Sequence, residues 1–324
     1  MATHAPVEVM RVETARFCPP DDALLLAASW DERCLGLASR LGGYHCHRVM
    51  MTVYDGESAF REKNIGLLRK LLEEVGPVTV VPAKHSDPLQ NVRETVTLLA
   101  AAPTEAPPRI AIDVSTYTRK HFLQLLQGLD LAGILGACSF YHTEPVDFHT
   151  PDDEPISQGI SSVRAIETFM GRNSPARDSL LVLFLGYEGR RAAALWEHVD
   201  PNMTLAVIAD PPYRQEWRGR TEAQNRYLLS CLPRDQVLVS HSLVPADTEN
   251  LLNRLVSGDE YGLARYNYRI APFGTKAQTL GIYRFWRKHR GIATIMYAAP
   301  FRYREEQGNF PPGRTWLIDK SATW

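Results

Sequence analysis

Twice along the chain an apolar run ends in an aromatic, an acid and, two residues after the acid, an arginine: Trp30, Asp31 and Arg33, then Tyr187, Glu188 and Arg190. Twice, further on, a short apolar run ends in a threonine and a cation at the head of a helical stretch. These are Thr118 with Arg119, then Thr275 with Lys276, the second pair preceded by Gly274. In both cases the copies lie 157 residues apart. A helix start offers unbonded backbone N–H groups and the positive end of its dipole, and a Lys or Arg adds a charge-assisted contact. Such residues suit an anion such as a phosphate, and an aromatic beside them can stack on a base. The same residues read equally as helix caps and partly solvated ion pairs.

A second chemistry is open to the carboxylates. Asp113 ends an apolar run, and 157 residues later stands Ile270, not an acid. An asymmetric carboxylate in a repeated scaffold suits catalysis, with Asp113 and either Asp31 or Glu188 as general acid and base on a nucleotide or phosphodiester. Asp113 reads equally as a cap or the partner of an arginine. The spacings Arg40 to His45 and Arg191 to His198 fit a loose Arg/His ribonuclease pattern that chance explains, and His45 and His47 have no nearby carboxylate run to complete a metal site. Gly-x-Gly-x-x-Gly, Walker A and Gly-x-Ser-x-Gly are absent, so no cofactor is expected.

The elements that must hold these residues repeat as well. In the first half, strands are expected at 23–29, 48–54, 78–82, 110–114 and 138–141; in the second, at 180–185, 204–209, 236–240, 268–271 and 293–297. Helical stretches such as 60–75 and 89–101 separate them. Short continuous Val/Ile/Leu runs alternating with helices indicate a parallel sheet covered on both faces. Asn64 and Asn225, each followed three residues later by Leu-Leu, extend the correspondence at an offset of 161, which implies a short extra loop in the second half. Tyr141 with Pro145 and Tyr297 with Pro300 close the two halves. The fold class expected is α/β, with two tandem, duplicated Rossmann-like parallel-sheet units at 1–148 and 179–324 joined by a Pro/Asp/Ser/Gly-rich connector at 149–178.

Composition narrows the function. The 324 residues carry 36 Lys+Arg against 37 Asp+Glu, a net charge of −1 that lacks the basic excess of a general nucleic-acid binder. With 44% hydrophobic residues the chain has material for folded cores and no run of membrane-span length. Its start lacks signal-peptide regions, which reads as cytoplasmic. Five scattered cysteines, Cys18, Cys34, Cys46, Cys138 and Cys231, suggest buried free thiols and neither a disulfide framework nor a zinc site.

The stretch Ile270-Ala-Pro-Phe-Gly-Thr-Lys276 before a helical run resembles the strand-four loop of CARF domains, the Rossmann-like sensors of CRISPR-associated effectors. The duplication is similar to that of SAVED domains. This resemblance implies a cyclic oligonucleotide ligand, a role in antiviral defence, and ligand contacts from Gly274, Thr275 and Lys276, with Ser29, Trp30, Gly186 and Tyr187 in the strand-one loops. The first half departs from the pattern, having Thr116-Tyr117-Thr118-Arg119.

Three readings of function are open. The first is a two-lobed receptor that takes a nucleotide or cyclic oligonucleotide between strand-end loops, through Trp30, Arg33, Thr118, Arg119, Tyr187, Arg190, Gly274, Thr275 and Lys276. The second is the carboxylate enzyme. The third is an interaction scaffold, with a protein partner or a homo-oligomer at Trp217, Arg218, Arg220, Arg302, Tyr303 and Arg304. None involves a membrane.

Overall fold

The computed structural model describes residues 10–12, 22–101, 109–147 and 154–320. Cys18, the first nine residues and the connector positions 149–153 lie outside the described residues. The chain divides into two compact units, Met1–His149 together with Gly308–Trp324, and Thr150–Gln307.

In chain order the first unit runs β1 (Met10–Val12), β2 (Ala23–Ala28), α1 (Leu35–Ala38), β3 (Arg48–Tyr54), α2 (Ala59–Leu72), β4 (Val78–Ala83), α3 (Leu89–Ala100), β5 (Ile110–Asp113), α4 (Arg119–Leu131) and β6 (Cys138–Pro145). The second runs β7 (Ser157–Ala165), β8 (Asp178–Phe184), α5 (Gly189–Val199), β9 (Met203–Ala209), α6 (Trp217–Gln224), α7 (Arg226–Ser230), β10 (Val237–Ser240), α8 (Pro245–Ser257), β11 (Tyr266–Pro272), α9 (Lys276–Lys288) and β12 (Ala293–Tyr303). A last strand, β13 (Pro312–Asp319), returns to the first unit.

All ten strands expected from apolar runs are present, with ends shifted by a few residues. Strand β2, Ala-Leu-Leu-Leu-Ala-Ala, is buried at every position, because helices cover both faces of a parallel sheet. Alternate residues go to one face, so Leu24, Leu26 and Met51 pack against Leu37, Leu68 and Leu72 from α1 and α2. In the second unit Leu181, Leu183 and Ile208 meet Ala192 and Leu195 of α5.

The two sheets share one order. The first is β4-β3-β2-β5-β6-β13-β1 and the second β10-β9-β8-β11-β12-β7, with the first five strands of each parallel. The winding reverses between β2 and β5, and between β8 and β11. That is the switch point, where loops after neighbouring strands diverge to opposite faces and leave a crevice. Pairing also corrects one correspondence. Leu25 pairs with Ile112 and Val182 pairs with Ile270, so the counterpart of Asp113 is Ala271 and not Ile270. Neither candidate is acidic.

Each sheet gains one antiparallel strand beside its fifth. Strand β7 follows β6 in sequence but pairs with β12, and β13 follows β12 but pairs with β6. Each repeat therefore gives its closing strand to the other sheet. The join of β13 to β6 is fixed by Glu144, which is fully buried and accepts hydrogen bonds from Arg314 Nε at 2.6 Å and Trp316 Nε1 at 3.1 Å. Removing the cation leaves a buried carboxylate without its counter-charge. Arg314→Ala should therefore cost about 2–3 kcal/mol in chemical denaturation, an unchanged midpoint contradicting this role for the pair.

Candidate functional site

The loops after β2 and β8 both carry an acid, but they use it differently. Asp31 caps a single 3-10 turn by accepting the Arg33 N–H at 2.9 Å, and its other oxygen takes Arg33 Nε at 2.8 Å and Nη2 at 2.5 Å. In the second unit α5 begins at once, so the residue one helical turn from Glu188 is Arg191, not Arg190. Glu188 lies 3.7 Å from Arg191 and accepts the Ser157 hydroxyl. Arg190 is exposed and lies 3.9 Å from Glu154. The Asp31–Arg33 pair thus forms and a Glu188–Arg190 pair does not. Arg191 is buried, donates to the Ala298 carbonyl at 3.1 Å, and lies 5.6 Å from the ring centroids of Phe273 and Tyr297. Burial alone would lower its pKa, but Tyr297, Tyr303 and Glu188 together hold it above the ordinary value.

One device sets both strand-one loops. Asn64 of α2 donates Nδ2 to the Ser29 carbonyl at 2.9 Å, and Asn225, at the break between α6 and α7, donates Nδ2 to the Gly186 carbonyl at 2.8 Å. Ser29 and Gly186 are 157 residues apart, the offset of the repeat itself. The weak Asn/Asn correspondence in the sequence therefore marks a shared structural part. Both amides are buried.

The strand-four loops end on matching caps. Thr118 Oγ1 accepts the His121 N–H at 3.2 Å, and Thr275 Oγ1 accepts the Gln278 N–H at 3.1 Å. Gln278 Oε1 accepts the Thr275 N–H at 2.9 Å in return, completing a capping box. Arg119 and Lys276 are each the first residue of their helix, the former half-buried and the latter buried. The strand-one and strand-four loops touch in both units: Thr116 Oγ1 donates to the Ala27 carbonyl at 2.6 Å, and a Cβ at Gly186 would stand 2.3 Å from the Phe273 carbonyl. At Gly274 a Cβ would meet Gln278 Oε1 at 2.1 Å, so glycine is required by the capping box itself. The first unit has Tyr117 in this loop, one residue longer. Its ring is buried, with the hydroxyl 3.2 Å from Thr52 Oγ1, and burial pushes the phenol pKa up.

A further repeated pair escaped the sequence reading. Asp55 follows β3 and Asp210 follows β9; His85-Ser86 follows β4 and His241-Ser242 follows β10, the two His-Ser pairs 156 residues apart. The signal was in the sequence, since a proline follows each pair at the head of α3 and α8. Asp55 Oδ1 accepts the His85 N–H at 2.9 Å and lies 3.3 Å from its Nδ1. Partial burial would raise the Asp55 pKa, but these contacts outweigh it and hold the carboxyl below the usual range. Partial burial pulls His241 below the ordinary imidazole value, against the fields of Asp247 and Asp210. The serine carbonyls anchor the strand-four helices: Ser86 O accepts Lys120 Nζ at 3.0 Å, and Ser242 O accepts Thr275 Oγ1 at 2.7 Å.

The remaining candidates are placed as follows. Trp30 and Tyr187 are half-buried on the strand-one loops. Asp113 is buried and accepts the Ser115 N–H at 2.9 Å and the Ser115 hydroxyl. Of the scaffold surface, Trp217 is buried rather than exposed, and Arg218 is bound to Asp210 at 2.5 Å and Glu222 at 3.1 Å. Cys34 and Cys138 are buried thiols, whereas Cys231 is exposed. No described helix is long and apolar enough to cross a membrane.

Fold and loops together define a two-unit α/β protein with Rossmann-like sheets. No family model matches the chain, and no curated protein matches it. Among solved structures, Can2 from Sulfobacillus thermosulfidooxidans in complex with cyclic tetra-adenylate is similar to 38% of this chain and 32% of its own, at 10% identity and a TM-score of 0.28. A likeness at that level establishes neither a family nor a function.

The two asparagines give the most direct check of the shared architecture. Asn64→Ala and Asn225→Ala should each cost about 1 kcal/mol in urea denaturation. Lying in separate units, their effects should sum to within about 0.5 kcal/mol in the double variant. A cost at only one position would mean that the two loops are not held alike.

Proposed function

We propose that this chain binds an anionic nucleotide through the strand-end loops of its units. The observation that carries the reading is the meeting of the strand-one and strand-four loops at the switch point of each sheet, where a threonine-capped helix begins with a cation, Arg119 or Lys276. An open parallel sheet binds ligands at that place, and a helix start there favours a phosphate. Trp30 and Tyr187 stand on the adjoining loops and offer ring faces to a base. Each unit has a threonine-capped helix headed by a cation and so suits a phosphate, and a cyclic oligonucleotide is the form we favour. The Gly-Thr-Lys turn, with its resemblance to CARF domains, agrees with such a signal and with a place in antiviral defence.

Binding is favoured over turnover because the candidate carboxylates already serve the fold. Asp31 holds Arg33 and caps its turn, Glu188 holds Arg191, and Asp113 closes a turn with Ser115.

Cyclic tetra-adenylate, cyclic di-AMP and ATP make a suitable probe set. At about 100 times Kd, a ligand selective for the folded state should raise Tm by about 5 °C. The shift should vanish in Arg119→Ala with Lys276→Ala while the unliganded chain still melts cooperatively, and the ligand should be recovered intact. A full shift in the double variant, or consumption of the ligand, contradicts the proposal.

A further inference from the structure

Arg214 lies on the loop between β9 and α6, which is longer than its counterpart between β3 and α2. Fourteen residues lie between Asp210 and Asn225, against eight between Asp55 and Asn64. Its guanidinium rests over the indole of Trp217, 5.5 Å from the ring centroid. Trp217 is in turn flanked edge-to-face by Tyr187 at 6.1 Å and Tyr213 at 6.2 Å.

What sets Arg214 apart is the lack of a counter-charge. It is half-buried, its Nε is shielded from solvent without a hydrogen-bond partner, and its guanidinium makes no ion pair among the described residues. Glu216, two residues on, makes no ion pair with it among the described residues, and Asp210 is taken by Arg218 at 2.5 Å, which also holds Glu222. The other half-buried or buried arginines at this kind of loop, Arg33 and Arg191, are paired with Asp31 and Glu188. Arginines are seldom buried unless paired, and a shielded N–H donor with no acceptor is costly.

The loop also belongs to the candidate site. The Tyr187 hydroxyl donates to the Trp217 carbonyl at 3.4 Å, which ties it to the strand-one loop. The Ser242 N–H donates to the Pro211 carbonyl at 3.2 Å, which ties it to the strand-three turn and, through Ser242 O and Thr275, to the start of α9.

We infer that Arg214 is a phosphate contact of the second unit, its face held on Trp217 and its N–H edge presented to a nucleotide phosphate. This rests on the nucleotide-binding reading and adds to it that the two units are not equivalent, since the corresponding loop of the first, 55–58, is shorter and carries no cation. A planar guanidinium stacked on a ring keeps its fork of donors available for a phosphate in a way that a lysine ammonium does not.

Isothermal titration of cyclic tetra-adenylate into the wild-type chain, Arg214→Gln and Arg214→Lys tests it, with inorganic phosphate as the anion control. Arg214→Gln should bind about tenfold more weakly than wild type at unchanged Tm, with Arg214→Lys between the two. Equal affinity in wild type and Arg214→Gln overturns the role of Arg214 and leaves the nucleotide reading standing. No binding by the wild type overturns both, and inorganic phosphate bound as tightly as the cyclic probe replaces the nucleotide with a free anion.

Discussion

Parallel pairing sends the five core strands of each sheet out at the same edge, and this constraint governs the rest of the molecule. The turns that lead into helices must gather there, and the reversal of winding between the first and fourth strands parts them. In both sheets the residues that meet at that reversal are the ones whose types repeat in the sequence. Backbone groups do much of the holding. The Asn64 and Asn225 amides grip the Ser29 and Gly186 carbonyls, and Lys120 and Thr275 grip the Ser86 and Ser242 carbonyls. The chemistry at the loop surface is thus positioned by contacts that do not themselves require a ligand.

The exchange of closing strands bears on how the duplicated chain holds together. If each repeat kept its own last strand, β7 would lie on β6 and β13 on β12. Instead β7 completes the second sheet and β13 the first. The first unit is therefore unfinished until the segment that follows β12 has been made, and Glu144, buried beneath Arg314 and Trp316, makes the return of that strand specific.

The central strands were legible because burial on both faces demands unbroken Val/Ile/Leu runs, and Leu180 to Phe184 shows the rule plainly; the edge strands β4 and β10 were legible from their apolar runs although partly exposed. Strands β7 and β13 were not. β7 mixes exposed and half-buried positions, Ser, Gln, Gly and Arg among them, and β13 opens with proline and glycine; neither has the apolar continuity by which a central strand is recognised. The repeat located the loops of the site and the threonine caps, but sequence matching could not say which arginine would meet Glu188, because that depends on where α5 starts. It overlooked the His-Ser turns, whose offset differs by one from that of the flanking segments. It was blind to Arg214, since an insertion has no partner to be compared with. The glycine of Gly-Thr-Lys, which in sequence suggests room for a ligand, is required by Gln278 of the capping box.

The central claim is that one end of each sheet, and no other surface, receives the ligand. Amide hydrogen exchange with and without cyclic tetra-adenylate tests it most directly. The account predicts added protection confined to the loops at 29–33, 114–121, 186–191, 211–217 and 273–279, with the opposite ends of both sheets unchanged. Protection spread over the strand-start edges, or none at any of these loops, would contradict it.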